Sequence, residues 1–99
     1  MKWAIEYTPS ADKSLFEVLE WMTANDVDSR RFEEELSRKE TLLEVTPHIG
    51  APVIEARTPG VRWLVFSTRH LLYYRVNEKT GTVELLLFWH SSRGTRPKL

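Results

Sequence analysis

Four residues in the second half of the chain could act on a phosphate: Arg62, Arg75, His90 and Arg93. A guanidinium is a planar fork of donors that matches phosphate oxygens. A histidine, with an unperturbed pKa of ~6.5, can give or take a proton near neutral pH. Arg69, Arg96 and Lys98 add charge around them, and Tyr73 and Trp89 offer rings on which a base or a partner side chain could stack. Each has a plainer reading. Arg62 and Arg75 could pair with Glu55, Glu78 or Glu84, and His90 could hydrogen-bond the loop that follows it. Trp63 and Trp89 could lie in a core or an interface.

Other chemistries find little support. There is no cysteine, which removes disulfides, thiolate metal sites and cysteine nucleophiles. His48, His70 and His90 share no ligand spacing, so no metal site is expected. No glycine-rich phosphate loop is present, and nothing around Ser91 and Ser92 suggests a serine nucleophile. No cofactor is implied.

The elements that must position these residues can be read along the chain. Trp3, Ile5 and Tyr7 alternate with Ala4 and Glu6, the pattern of a short strand. Thr8-Pro9 starts a helix, because Thr8 can accept from a free amide and Pro9 suits the first turn. Leu15, Val18, Leu19 and Met22 carry that helix over 9–24. Asp26 or Asp28 can cap a second helix, whose apolar stripe is Phe32, Leu36 and Leu43. It ends at Thr46-Pro47, since the residue before proline avoids helical geometry. Residues 47–60 hold three prolines and two glycines and read as a connector, with a short strand at Val53–Arg57.

Three strand-like runs follow, at 61–67, 70–77 and 82–90, separated by hairpin-sized breaks. Leu85–Trp89 is apolar on both faces, so it should be central and covered by the helices on one side. One of Tyr73 and Tyr74 should be core and the other free. The expected class is α+β: an N-terminal strand, a helical hairpin, then a three- to four-stranded antiparallel sheet with the helices on one face.

At 99 residues this reads as one domain, 1–99. The net charge of zero conceals a gradient. Residues 1–50 hold six basic and eleven acidic side chains; residues 51–99 hold eight and three. The basic half should present a cationic sheet face or rim to an anionic partner. No apolar run reaches the ~20 residues of a membrane span, and the N-terminus has no signal-peptide core, so a soluble, cytoplasmic protein is expected.

In order, the chain shows a helical hairpin, Pro47-His48-Ile49-Gly50, Gly60-Val61-Arg62-Trp63-Leu64, Leu72-Tyr73-Tyr74-Arg75-Val76 and His90-Ser91-Ser92-Arg93. This series resembles the RelE/ParE superfamily of bacterial type II toxins over nearly its whole length. The resemblance implies a small toxin held inactive by a cognate antitoxin, as a homodimer or a toxin–antitoxin hetero-oligomer.

Two activities occur in the superfamily. ParE-like members poison DNA gyrase without catalysis; RelE-like members cut mRNA on the ribosome. In the second case Arg62, Arg75 and Arg93 would hold the phosphate, and His90 or Tyr73 would move protons around the attacking 2′-hydroxyl. A position that is a catalytic arginine in RelE-like enzymes falls on Leu71, and only Arg62 lands near a catalytic lysine position. The ParE-like branch is therefore favoured; the alternatives are the ribonuclease and a non-toxic binding module of the same fold.

Overall fold

The computed structural model describes residues 2–54 and 56–99. The elements are β1 (Ala4–Tyr7), α1 (Pro9–Ala24), α2 (Arg30–Val45), β2 (Ala51–Pro52), β3 (Val61–Val65), β4 (His70–Asn77) and β5 (Thr82–His90). The strands form one sheet in the order β1-β5-β4-β3-β2. β1 runs parallel to β5, and every other pairing is antiparallel. The expected α+β class is correct, and β5 lies inside the sheet as its apolar run implies.

Local chemistry sets the helix ends. Thr8 Oγ1 accepts from the Ala11 amide at 3.2 Å and donates to the Leu85 carbonyl at 2.8 Å, so one hydroxyl caps α1 and ties it to β5. Ser29 stands at the N-cap position of α2, but its side chain makes no capping bond; the carboxylate of Asp28, one of the two expected aspartates, accepts the Arg30 amide at 2.9 Å. Asp26 takes a left-handed turn conformation (φ 53°), a region that short polar side chains tolerate.

Both helices cover one face of the sheet. Ala11, Met22, Phe32, Leu43, Phe66, Leu72, Tyr74, Val83, Leu85 and Phe88 form the core between them. Phe32 of α2 stacks on Phe66 (ring centroids 4.7 Å) and meets Phe88 at 6.2 Å, joining the helix to the turn after β3 and to β5. Ser14 interrupts the apolar stripe of α1 for a reason. Its hydroxyl donates to the Ser10 carbonyl at 2.8 Å and accepts the Phe88 amide at 2.9 Å, beyond the end of β1 where that amide has no strand neighbour. Ser14→Ala should leave the amide unpaired and cost about 1–3 kcal/mol, read as a lower urea midpoint at unchanged slope.

The connector differs from its sequence reading. No strand forms at Val53–Arg57 among its described residues; the pairing lies earlier, where Ala51 and Pro52 meet Trp63 and Arg62. Pro52 cannot donate to a ladder, which suits this edge position. Glu55, offered above as a partner for arginine, lies outside the described residues. β3 stops at Val65, two residues before its expected end. There Phe66 donates to the His70 carbonyl (2.9 Å), and Arg69 turns left-handed at φ 66°.

Candidate functional site: the two faces of the sheet

Strand register decides where the candidate residues point. Val61 lies opposite Arg75, and Arg62 lies opposite Tyr74. Neighbours along a strand face opposite ways. Arg62 therefore points to the helix-covered face and Arg75 to the outer face. The two strand arginines thus do not form the expected shared cationic face; of the four phosphate-handling candidates, only His90 and Arg93 come to one place, a groove beside α1. The cause is one residue of offset between β3 and β4, which neither strand reveals alone.

Each arginine has a local engagement. Arg62 Nη1 donates to the Gly50 carbonyl at 2.8 Å. Arg75 donates from Nε and Nη2 to Glu84 Oε1 at 3.0 and 2.6 Å, a cross-strand pair that neutralises it. Arg93 lies over the Trp89 ring, 4.5 Å from its centroid. Arg69 sits in the β3–β4 turn with its carbonyl accepting the Ser91 amide at 2.8 Å. Arg96 and Lys98 are exposed in the tail.

The outer face is instead mostly apolar. Trp63, Val65, Leu71, Tyr73, Leu87 and Trp89 share it by register. The basic tail crosses this face. Trp89 Nε1 donates to the Thr95 carbonyl at 3.2 Å, and the Leu99 carbonyl accepts from the amides of Arg57 and Thr58 at 2.7 and 3.1 Å. Tyr73 is only 5% exposed, so it is no open platform. Burial raises its hydroxyl pKa, with the charge of Arg96 opposing.

Tyr74 is buried too, on the other face, where its hydroxyl accepts the Gly50 amide at 2.8 Å. The expectation that one of the two tyrosines is free is thus corrected. Register places them on opposite faces, but each face has its own cover. Gly50 has both main-chain groups held by side chains, Tyr74 and Arg62. The sequence spacing marks Tyr74 for burial but does not point to Gly50 as its partner.

His90 ends β5 at a groove of about 970 Å³ between α1 and the free end of that strand, with Lys13, Glu17, Trp21, Ser92 and Arg93 also lining it. Its Nδ1 accepts the Ser92 amide at 3.1 Å and contacts the Ser92 hydroxyl. An amide only donates, so the neutral ring carries its proton on Nε2. The His70 ring lies across the strand pair, 4.8 Å away centroid to centroid.

His70 is 4% exposed, and burial, helped by His90, lowers its pKa from 6.5 to about 4. The folded state therefore refuses a proton that the unfolded chain accepts. Stability should be full above about pH 6.5 and fall towards about pH 4, by up to ~1.4 kcal/mol per pH unit. Urea midpoints across that window would show the slope, and His70→Gln should flatten it.

The order of elements and this arrangement of faces can be set beside known proteins. The family model for the ParE toxin of type II toxin–antitoxin systems, parDE, matches residues 5–94. The chain belongs to the ParE toxin family. The fold of this ParE-family chain is similar to that of an arginine double mutant of the E. coli toxin RelE in the free state. That likeness has 18% identity and a TM-score of 0.65, over 95% of this chain and 88% of that one. It is also similar to a chain of the toxin–antitoxin complex RelBE2 from Mycobacterium tuberculosis, at 19% identity and a TM-score of 0.63, over 91% of this chain and 99% of that one. No curated protein sequence matches. The resemblance to the RelE/ParE superfamily read from the motifs is correct. Among the described residues no helix is long and apolar enough to cross a membrane.

Proposed function

We propose that this ParE-family toxin acts by binding a protein target, DNA gyrase, and that a cognate antitoxin neutralises it. The observation that carries the reading is the dispersal of the sheet arginines. A ribonuclease needs several cations converging on one phosphate. Here Arg62 clasps Gly50 on one face, and Arg75 is paired with Glu84 on the other. Leu71 puts a neutral side chain between the paired positions of Val65 and Trp89. What the tail leaves open of the outer face has the make-up of a protein interface instead: Val65 is exposed, Trp63, Leu71 and Trp89 are half-buried around the covered Tyr73, and Arg93 lies on Trp89. The zero net charge agrees, because binding to ribosomal RNA draws strongly on phosphate attraction. Trp89→Ala should weaken inhibition of gyrase supercoiling by about tenfold or more, as for an interface anchor. An unchanged inhibition curve would move the contact elsewhere.

A second reading keeps one specific support. His90 lines the groove, and the Ser92 contact at Nδ1 leaves its Nε2–H as a hydrogen-bond donor for an oxygen that gains negative charge. In a ribosome-dependent endoribonuclease that hydrogen bond would stabilise the negative charge forming on the leaving oxygen. Primer extension on translated mRNA, comparing the wild type with His90→Ala, tests that reading.

A further inference from the structure

We propose that the outer edge of β1 is an addition site for an extended segment of a partner protein with lysine or arginine at alternate positions. The proposal starts from the ladder. In a parallel pair, the amide and carbonyl of one residue point to the same side. Ala4 and Thr8 donate to the Gly81 and Leu85 carbonyls of the β5 side, at 3.1 Å each. The odd residues therefore point outward, and Trp3 accordingly donates to the Glu44 carbonyl at 2.9 Å. Beyond Trp3 the main-chain amides of Ile5 and Tyr7 have no partner among the described residues. They are two consecutive rungs of an unpaired edge, the feature on which strand addition is built.

The opposite edge of the sheet is closed to this. β2 has two residues, and one of them is Pro52. At β1 there is room: a groove of about 390 Å³ runs between the strand and α2, lined by Ile5, Tyr7, Ser37, Glu40, Thr41 and Glu44.

Charge selects the occupant. An added strand would turn alternate side chains towards Glu40 and Glu44 on the helix side, and the others towards Glu6 on the outer side. Glu40 already accepts the Tyr7 hydroxyl, which fixes its carboxylate beside the edge. A second copy of this chain would set the same carboxylates against each other, which disfavours self-pairing. A basic segment gains ladder bonds from its backbone and ion pairs from its side chains. The inference goes beyond the gyrase reading, because it concerns a different edge from the aromatic outer face and survives if that target is wrong.

The test uses the full chain and two acetylated peptides, one alternating lysine with valine and one alternating glutamate with valine. Amide hydrogen exchange is followed by NMR. The lysine peptide should slow exchange at Ile5 and Tyr7 by about tenfold or more and leave β2 unaffected, while the glutamate peptide should do neither. The double variant Glu40→Gln, Glu44→Gln keeps an acceptor for Tyr7 and should weaken lysine-peptide binding roughly three- to tenfold, the size of two exposed ion pairs. Unchanged exchange at Ile5 and Tyr7 under saturating lysine peptide would overturn the proposal. So would equal binding of both peptides, or protection of those amides by self-association of the chain without peptide.

Discussion

Gly50→Ala should be among the most damaging single changes to this chain. A methyl group at Gly50 would lie 2.5 Å from the Tyr74 hydroxyl oxygen and 2.8 Å from the Trp63 carbonyl oxygen. Neither obstacle is free to retreat: Tyr74 is fully buried, and the other is strand backbone. The backbone angles of Gly50 are not the cause, since only Gly60 and Gly81 among the glycines adopt positive φ. Overpacking of this kind costs about 1–3 kcal/mol or more, and pushing Tyr74 away also breaks its bond to the Gly50 amide, adding about 1–3 kcal/mol. The expected fall in melting temperature is more than about 10 °C, taking ~4–8 °C per kcal/mol for a domain of this size. Tyr74→Phe isolates the hydrogen bond and should account for only part of the loss. Gly94→Ala is the control: nothing lies within 4 Å of its added methyl, and the change should stay within about 0.5 kcal/mol. A mild effect at Gly50 would mean that the clasp between connector and sheet is looser than its distances imply.

Phe32→Ala should be comparably severe. The side chain is fully buried and stacks on Phe66, and its ring also meets Phe88 and, at 5.0 Å, His70. It is the point where α2, the β3–β4 turn and β5 meet. Truncation should cost about 3–5 kcal/mol, a large share of the ~5–15 kcal/mol that holds a domain folded. Equilibrium urea unfolding measures it directly. The milder Phe32→Leu keeps most of the apolar volume and tests the link to His70. Loosening this contact admits water, so the His70 pKa should rise from about 4 towards its ordinary 6.5, as followed by NMR titration.

How far the sequence foretold this molecule depends on the range of each interaction. The cap at Thr8-Pro9, the stripe through Leu15, Val18 and Met22, and the strands of the second half are all written within a few residues of each other, and they were legible. So was the central place of Leu85–Trp89, because a run apolar on both faces has few other positions to occupy. The candidate site was less legible, because its layout is set between strands. Arg62 and Arg75 each alternate correctly along their own strand. Only the pairing of Val61 with Arg75 sends them to opposite faces, and register is not a local property.

The cover over Tyr73 was hidden for a related reason: a tail of exposed polar residues gives no periodic signal of where it lies. Two signals are nevertheless present in the sequence. Ser14 falls at helical spacing between Ala11 and Val18, which is where a polar group must have a buried partner. Tyr74 alternates with Leu72 and Val76, which implies burial on the helix-covered face and therefore an acceptor or donor for its hydroxyl.

The central claim is that this toxin acts through a protein contact, with its sheet arginines engaged in structure rather than aimed at a phosphate. One preparation of the purified chain, assayed side by side for gyrase supercoiling and for cleavage of mRNA under translation, tests this most directly. The account predicts blocked supercoiling and intact message. Cut message with supercoiling unaffected would contradict it.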